Sequence, residues 1–130
     1  MKHKVSELDG ALLDAAVAKA EGYDLSDPAD FQRAPGGGGW RLDEFRPSQR
    51  WVQAGPIIDR EHITIGSPGF MLSGQWEAFI DAKLIDLPSG LPDLVGKFEG
   101  HGLTPIKAAM RAYVASKFGE HVELPTSSYH

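Results

Sequence analysis

The sequence predicts an α+β domain: a small, mainly antiparallel sheet with two helices, at about residues 9–21 and 105–118, packed on one face. Three observations predict it. Two stretches, one near each end, carry helix-period apolar residues between recognisable start and stop signals. Between them lie short runs that alternate apolar and polar residues, punctuated by glycine and proline. The length, 130 residues, is enough for one hydrophobic core and short for two, so residues 1–130 read as a single domain.

Taken in chain order, "KHKV" around Val5 reads as an edge strand whose lysines discourage further pairing. In "LDGALLDAAVAKAEG", Asp9 is the N-cap, Leu8 and Leu13 stand at the positions of a hydrophobic staple, and Gly22 is the stop. Leu12, Leu13, Ala16, Val17 and Ala20 share one side while Asp14, Ala18 and Glu21 point away, which predicts an amphipathic helix lying over the sheet. Residues 23–39, "YDLSDPADFQRAPGGGG", mix acids, prolines and four consecutive glycines and read as a mobile loop. "WRLDEF" reads as a strand and "RPSQRW" as a turn leading to Trp51. Pro56 opens a short helical turn with Ile57 and Ile58, and "HITI" alternates as a half-buried strand. "QWEAFID" is another strand, with Trp76, Ala78 and Ile80 on one face. "LIDLPSGLPDLVG" reads as an irregular excursion because of its two prolines, and "KFEGHG" as a last short strand.

The stretch from His101 to Pro125 is the most orderly. Thr104 is the N-cap, Pro105 takes the first helical position and Gly119 ends the helix. Ile106, Met110, Tyr113 and Val114 form its apolar stripe. Ala108, Ala112, Ala115 and Ser116 form a second strip of small side chains, suited either to close approach of another backbone or to solvent. "HVEL" then adds an edge strand.

Composition narrows function by exclusion. A net charge of −5 argues against a broad electropositive face, so nucleic acid is disfavoured as a partner. With no cysteine there is no disulfide, thiolate nucleophile or cysteine-held metal, in keeping with a reducing compartment. The start "MKHKVSELDG" has no apolar core like that of a signal peptide, and no apolar run nears the roughly 20 residues of a spanning helix, so the reading is a soluble, cytoplasmic protein with no membrane contact.

No motif with decisive chemistry is present. The glycine run lacks the Gly-Lys-Ser/Thr ending of a phosphate loop, and the five histidines lack metal-ligand spacing, with His3 and His130 read as parts of disordered ends. His101 lies between two glycines before a helix N-terminus, where backbone N–H groups favour an anion; the plainer reading is a hinge with a solvated imidazole. "DREH" gathers Asp59, Arg60, Glu61 and His62, a carboxylate and histidine of the kind a general base uses, but adjacent residues seldom point together and an Arg60–Glu61 ion pair at a strand entry is the commoner role. There is neither a Ser-x-x-Lys nor a Gly-x-Ser-x-Gly motif. No catalytic residue, metal or cofactor is therefore assigned. Lys117 falls in the apolar stripe, where it must snorkel or meet an acid, and Arg111 flanks that stripe as a small basic edge. Trp40, Trp51 and Trp76 are core contributors if buried and interface anchors if exposed.

Four blocks carry a resemblance: "KVSELDGALLDAAVAKAEG" (4–22), "WVQAGPIIDREHI" (51–63), "WEA" (76–78) and "LTPIKAAMRAYVASKFGEHVELP" (103–125). In these the chain resembles the small phage-encoded NinX family of lambdoid phages, a family of unknown function. It departs from the family pattern at Ala54, where a second glycine is common, at Lys107, where a branched apolar residue is common, and in the loop at 23–39. The resemblance implies phage or prophage origin and an accessory role, and it supplies no catalytic residues.

Two functions follow as expectations. The first is a protein-interaction module for an unidentified host or phage protein, with Trp51, Pro56, Arg60, Glu61, His101, Thr104 and Arg111 as the binding surface, and with Arg60→Ala sparing the fold. The second is a small-ligand or nucleotide-binding protein, or enzyme, that brings Arg60, Glu61 and His101 into one cleft. The oligomeric state is open at this level.

Overall fold

The computed structural model describes residues 1–33, 38–71 and 73–125; residues 34–37 of the Gly/Pro-rich loop and His130 lie outside them. Both helices marked by caps form where the sequence puts them. In α1 (Gly10–Glu21) the Asp9 carboxylate accepts from the Gly10 N–H at 2.9 Å, and Gly22 ends the helix at φ 95°. Leu8 and Leu13 are both buried, as a staple requires. In α3 (Pro105–Phe118) Thr104 Oγ1 accepts from the Lys107 N–H at 3.2 Å.

A third helix, α2 (Trp51–Arg60), replaces the short turn read at Pro56. Pro56 lies inside it, where the ring removes the hydrogen bond to the Val52 carbonyl. Compensation comes from elsewhere in the chain. Gln53 is buried on the preceding segment: its Oε1 accepts from the Arg46 N–H at 2.5 Å and its Nε2 donates to the Glu44 carbonyl at 2.9 Å, while Ala54 and Ile57 bury the same face. "DREH" is consequently the end of a helix and not a strand entry, with His62 at φ 53° turning the chain out.

The strands form several small antiparallel sheets. β1 (Lys2–Lys4) pairs with β9 (His121–Glu123), so the two edge strands at the ends meet, and His3, read as disordered, sits opposite Val122. β2 (Phe31–Arg33) pairs with β3 (Gly39–Arg41). β4 (Thr64–Gly66), β5 (Trp76–Ile80) and β8 (Phe98–Gly102) form a three-stranded sheet in the order β4–β5–β8. β6 (Lys83–Asp86) and β7 (Pro92–Val95) form a hairpin in place of the irregular excursion; its prolines lie in the loop and at the start of β7, where the ladder tolerates them, and Gly90 at φ 86° makes the turn. Of "WRLDEF", only the start is strand, and Leu42–Glu44 is a 3-10 turn. Within the segment 23–33, part of the stretch read as a mobile loop, Tyr23 is buried with its hydroxyl donating to the Trp40 carbonyl at 2.8 Å, and Asp30 accepts from the Asp24 N–H at 2.8 Å.

α3 is the centre of the core, packed on β5 and β8 on one side and on α1 and α2 on another. Its alanine strip is the answer to the question its sequence posed. Gly100 of β8 crosses there so closely that a Cβ on it would overlap the Ala108 carbonyl oxygen and the Ala112 nitrogen. β5, between two strands and under α3, is buried on both faces from Glu77 to Ile80 and not on one alone.

α1 is likewise buried beyond one stripe, since Asp14 and Ala18 are inside the protein. The segment after β3 meets Asp14, whose carboxylate accepts from the Ser48 N–H at 2.7 Å. Burial pushes the Asp14 carboxyl above its usual range, against the opposing effect of the Ser48 bond. Asp14→Asn keeps the acceptor and removes a buried charge, so thermal unfolding at pH 7 should show unchanged or slightly raised stability. Asp14→Leu, which leaves the Ser48 N–H unpaired, should cost about 1–3 kcal/mol.

Candidate functional site

Arg60, at the end of α2, meets side chains from both other helices. Its Nη1 and Nη2 donate to the two oxygens of Glu21 at 3.0 and 2.7 Å, its Nη2 also donates to the Tyr113 hydroxyl at 3.1 Å, and its Nε donates to Glu61 at 2.8 Å. Tyr113 in turn donates to Glu21 in a short hydrogen bond. Lys117 meets the acid that its place in the stripe demands: its Nζ is 3.8 Å from Glu61 and stands over the Tyr113 ring at 5.6 Å. One guanidinium thus ties α1, α2 and α3 together through a bidentate carboxylate pair.

The electrostatics of this cluster are those of a lock. Burial raises the Glu21 carboxyl, but the bonds from Arg60 and Tyr113 outweigh it and hold Glu21 below the usual carboxylate range. The Glu21 bond holds the Arg60 guanidinium charged against the cost of burial, and burial followed by the Glu21 bond pushes the Tyr113 phenol well above its usual value. Near neutral pH all three therefore keep one protonation state, which suits structure and does not suit proton transfer.

His101 belongs to a second cluster. It lies in β8 opposite Glu77, with its Nε2 3.6 Å from the Glu77 carboxylate and 3.8 Å from Glu99. Glu77 is buried and also accepts from Ser73 Oγ at 2.8 Å. The imidazole is thus held beside carboxylates within a strand, and the α3 N-terminus is capped by Thr104 itself. Arg111 is a tie more than a loose basic edge: Nε donates to the Leu8 carbonyl at 2.8 Å and Nη1 to the His101 carbonyl at 2.7 Å. A groove of about 610 Å³ opens here, lined among others by Lys4, Lys97, Phe98, His101 and Arg111. Arg60 and Glu61 are not among its lining residues.

The sequence-derived set is therefore divided. Arg60 and Glu61 meet at the lock, His101 and Arg111 meet at the groove, and Thr104 is spent on its cap. Trp51 is 54 % exposed and its neighbour Val52 63 %, while Trp40 and Trp76 pack partly against the core. Sequence reasoning missed Glu21 and Tyr113 as partners of Arg60, and Glu77 as the partner of His101. They are distant in the chain, and no local spacing signals such a meeting. Among the described residues no group of three or more His, Asp or Glu side chains is placed to hold a metal ion, and no helix is long and apolar enough to cross a membrane.

Fold and site together define a small α+β protein organised on a central helix, whose best-formed charged cluster fastens its three helices to one another. The family model described as Bacteriophage P22, NinX matches residues 4–117, and the chain belongs to that family of phage proteins. A comparison with curated proteins gives no match.

Proposed function

We propose that this phage accessory protein is a protein-interaction module whose contact surface is centred on the first turn of α2. The observation that carries the reading is the adjacent pair Trp51 and Val52, both more than half exposed, on a helix whose other face holds Gln53, Ala54 and Ile57 in the core. A large aromatic left in water beside an aliphatic residue on a fixed helix has the character of an interface anchor. The acidic overall charge supports a protein partner over nucleic acid. Arg60 and Glu61 support this surface from behind by fixing the far end of α2.

Trp51→Ala tests it. As a surface change it should alter stability by no more than about 0.5 kcal/mol. Used as bait in lysate of phage-infected cells, the variant should lose, by about tenfold or more, a protein that the parent chain captures. Capture of the same proteins in the same amounts by both chains would sink the reading. Small-ligand binding through Arg60, Glu61 and His101 acting together is the second reading, and the division of those residues between lock and groove weighs against it.

A further inference from the structure

The groove beside His101 has a chemistry of its own, independent of the interaction surface on α2. It is lined by Lys4, Val5 and Ser6 at and just after the end of β1, by Lys97 and the first four residues of β8, and by Arg111 and Ala115 of α3. Its volume, about 610 Å³, is in the range of small-molecule sites.

Its charges are not balanced internally. Glu99 and Glu120 are the carboxylates of the lining, and Glu99 already stands 3.8 Å from His101. Against them the groove carries Lys4, Lys97 and Arg111. Among the described residues neither Lys4 nor Lys97 has an ion-pair partner, although the chain as a whole carries an excess of acids. Lys97 instead lies over the Phe98 ring at 5.7 Å. Arg111 is held in place by two backbone carbonyls, which use only part of its five-donor fork and leave the rest pre-organised. Phe98, Val5 and Ala115 add apolar surface between these cations. Among the described residues β8 is the last strand of its sheet, with a strand against one of its edges alone.

We infer that the groove binds a small molecule joining a phosphate group to a flat apolar body, the phosphate meeting Lys4, Lys97 and Arg111 and the body lying along Phe98, Val5 and Ala115. A group with more than one negative charge suits a lining that carries three cations, and a flat ring suits a half-buried phenyl face. The part played by Arg111 also explains why it is fixed by carbonyls and not by a carboxylate, which would cancel its charge.

Adenosine monophosphate serves as the probe, with adenosine and inorganic phosphate as its two halves. Amide NMR spectra of the labelled full chain should show saturable shifts confined to residues 4–6, 97–101 and 111–120 on addition of the monophosphate, with each half binding at least about tenfold more weakly. Lys97→Ala and Lys4→Ala change exposed side chains, so the spectra should remain those of a folded protein while affinity falls about threefold to tenfold in each. No saturable shift at millimolar probe, shifts elsewhere in the protein, or adenosine binding as tightly as its monophosphate would overturn the assignment. So would unchanged affinity in a chain carrying both lysine substitutions. None of these outcomes bears on capture of a protein through Trp51.

Discussion

Gly100→Ala is expected to destabilise the protein by about 3 kcal/mol or more, a larger loss than a single added methyl group brings at most sites. The added Cβ would overlap the Ala108 carbonyl oxygen and the Ala112 nitrogen, and both are backbone atoms of the central helix. No rotamer change relieves such a clash. Either β8 moves away from α3 or the helix bends, and α3 packs against β5, β8, α1 and α2. Gly55→Ala is the control. Apart from its chain neighbours a Cβ there meets nothing within 4 Å, and the gain in helix propensity is opposed by crowding of that Cβ against the Pro56 ring, so the net change should stay within about 0.5 kcal/mol. Urea unfolding should therefore move the midpoint strongly down for Gly100→Ala and little for Gly55→Ala. Equal small effects would mean that the contact of β8 with α3 is looser than described.

The second large effect is expected at Arg60. Arg60→Ala should cost about 2–3 kcal/mol, because it leaves the mostly buried Glu21 carboxylate without its counter-charge. The figure is kept below the range for fully buried pairs because the Arg60 side chain is 37 % exposed and solvent screens part of the interaction. This reverses the expectation from sequence that Arg60→Ala spares the fold.

A pH signature separates the lock from simple packing. The folded Glu21 carboxyl sits below its ordinary value of 4.5, so its contribution is complete above that value and is lost as pH falls through the lower, folded one. The difference in stability between the parent chain and Glu21→Gln should thus be constant near neutrality and shrink in acid. A difference that is flat to the lowest accessible pH would show that Glu21 contributes by shape and not by charge.

The two capped helices were legible from sequence because a helix end is a local object. Asp9, Gly22, Thr104, Pro105 and Gly119 act on backbone groups within one turn of themselves, so their meaning does not depend on the rest of the chain. α2 was not legible for the opposite reason. Gly55 and Pro56 look like punctuation, and the side chain that offsets them, Gln53, draws its partners from Glu44 and Arg46 in a different segment. The β6–β7 hairpin was hidden by prolines that do no harm at a loop and a strand start.

The candidate sites divide in the same way. Adjacent Arg60 and Glu61 suggested an ion pair, and that pair is present. Its setting was not visible, since Glu21 is 39 residues from Arg60 and Tyr113 is 53. The groove draws on the end of β1, most of β8, the face of α3 that carries Arg111, and the turn after it. No window along the chain contains all four.

The sequence by itself determined the α+β class, the ends of α1 and α3, the presence of a short strand near each end, and membership of a phage family. Those properties rest on periodicity, capping and ordered local blocks, all carried within a few turns of chain. Only the tertiary structure decided that α3 lies at the centre, that Asp14 is buried, that Arg60 closes a lock, and that cations from separate elements line one groove. The physical reason is that burial and charge pairing depend on what lies nearby in space, and packing brings together residues that the chain keeps far apart.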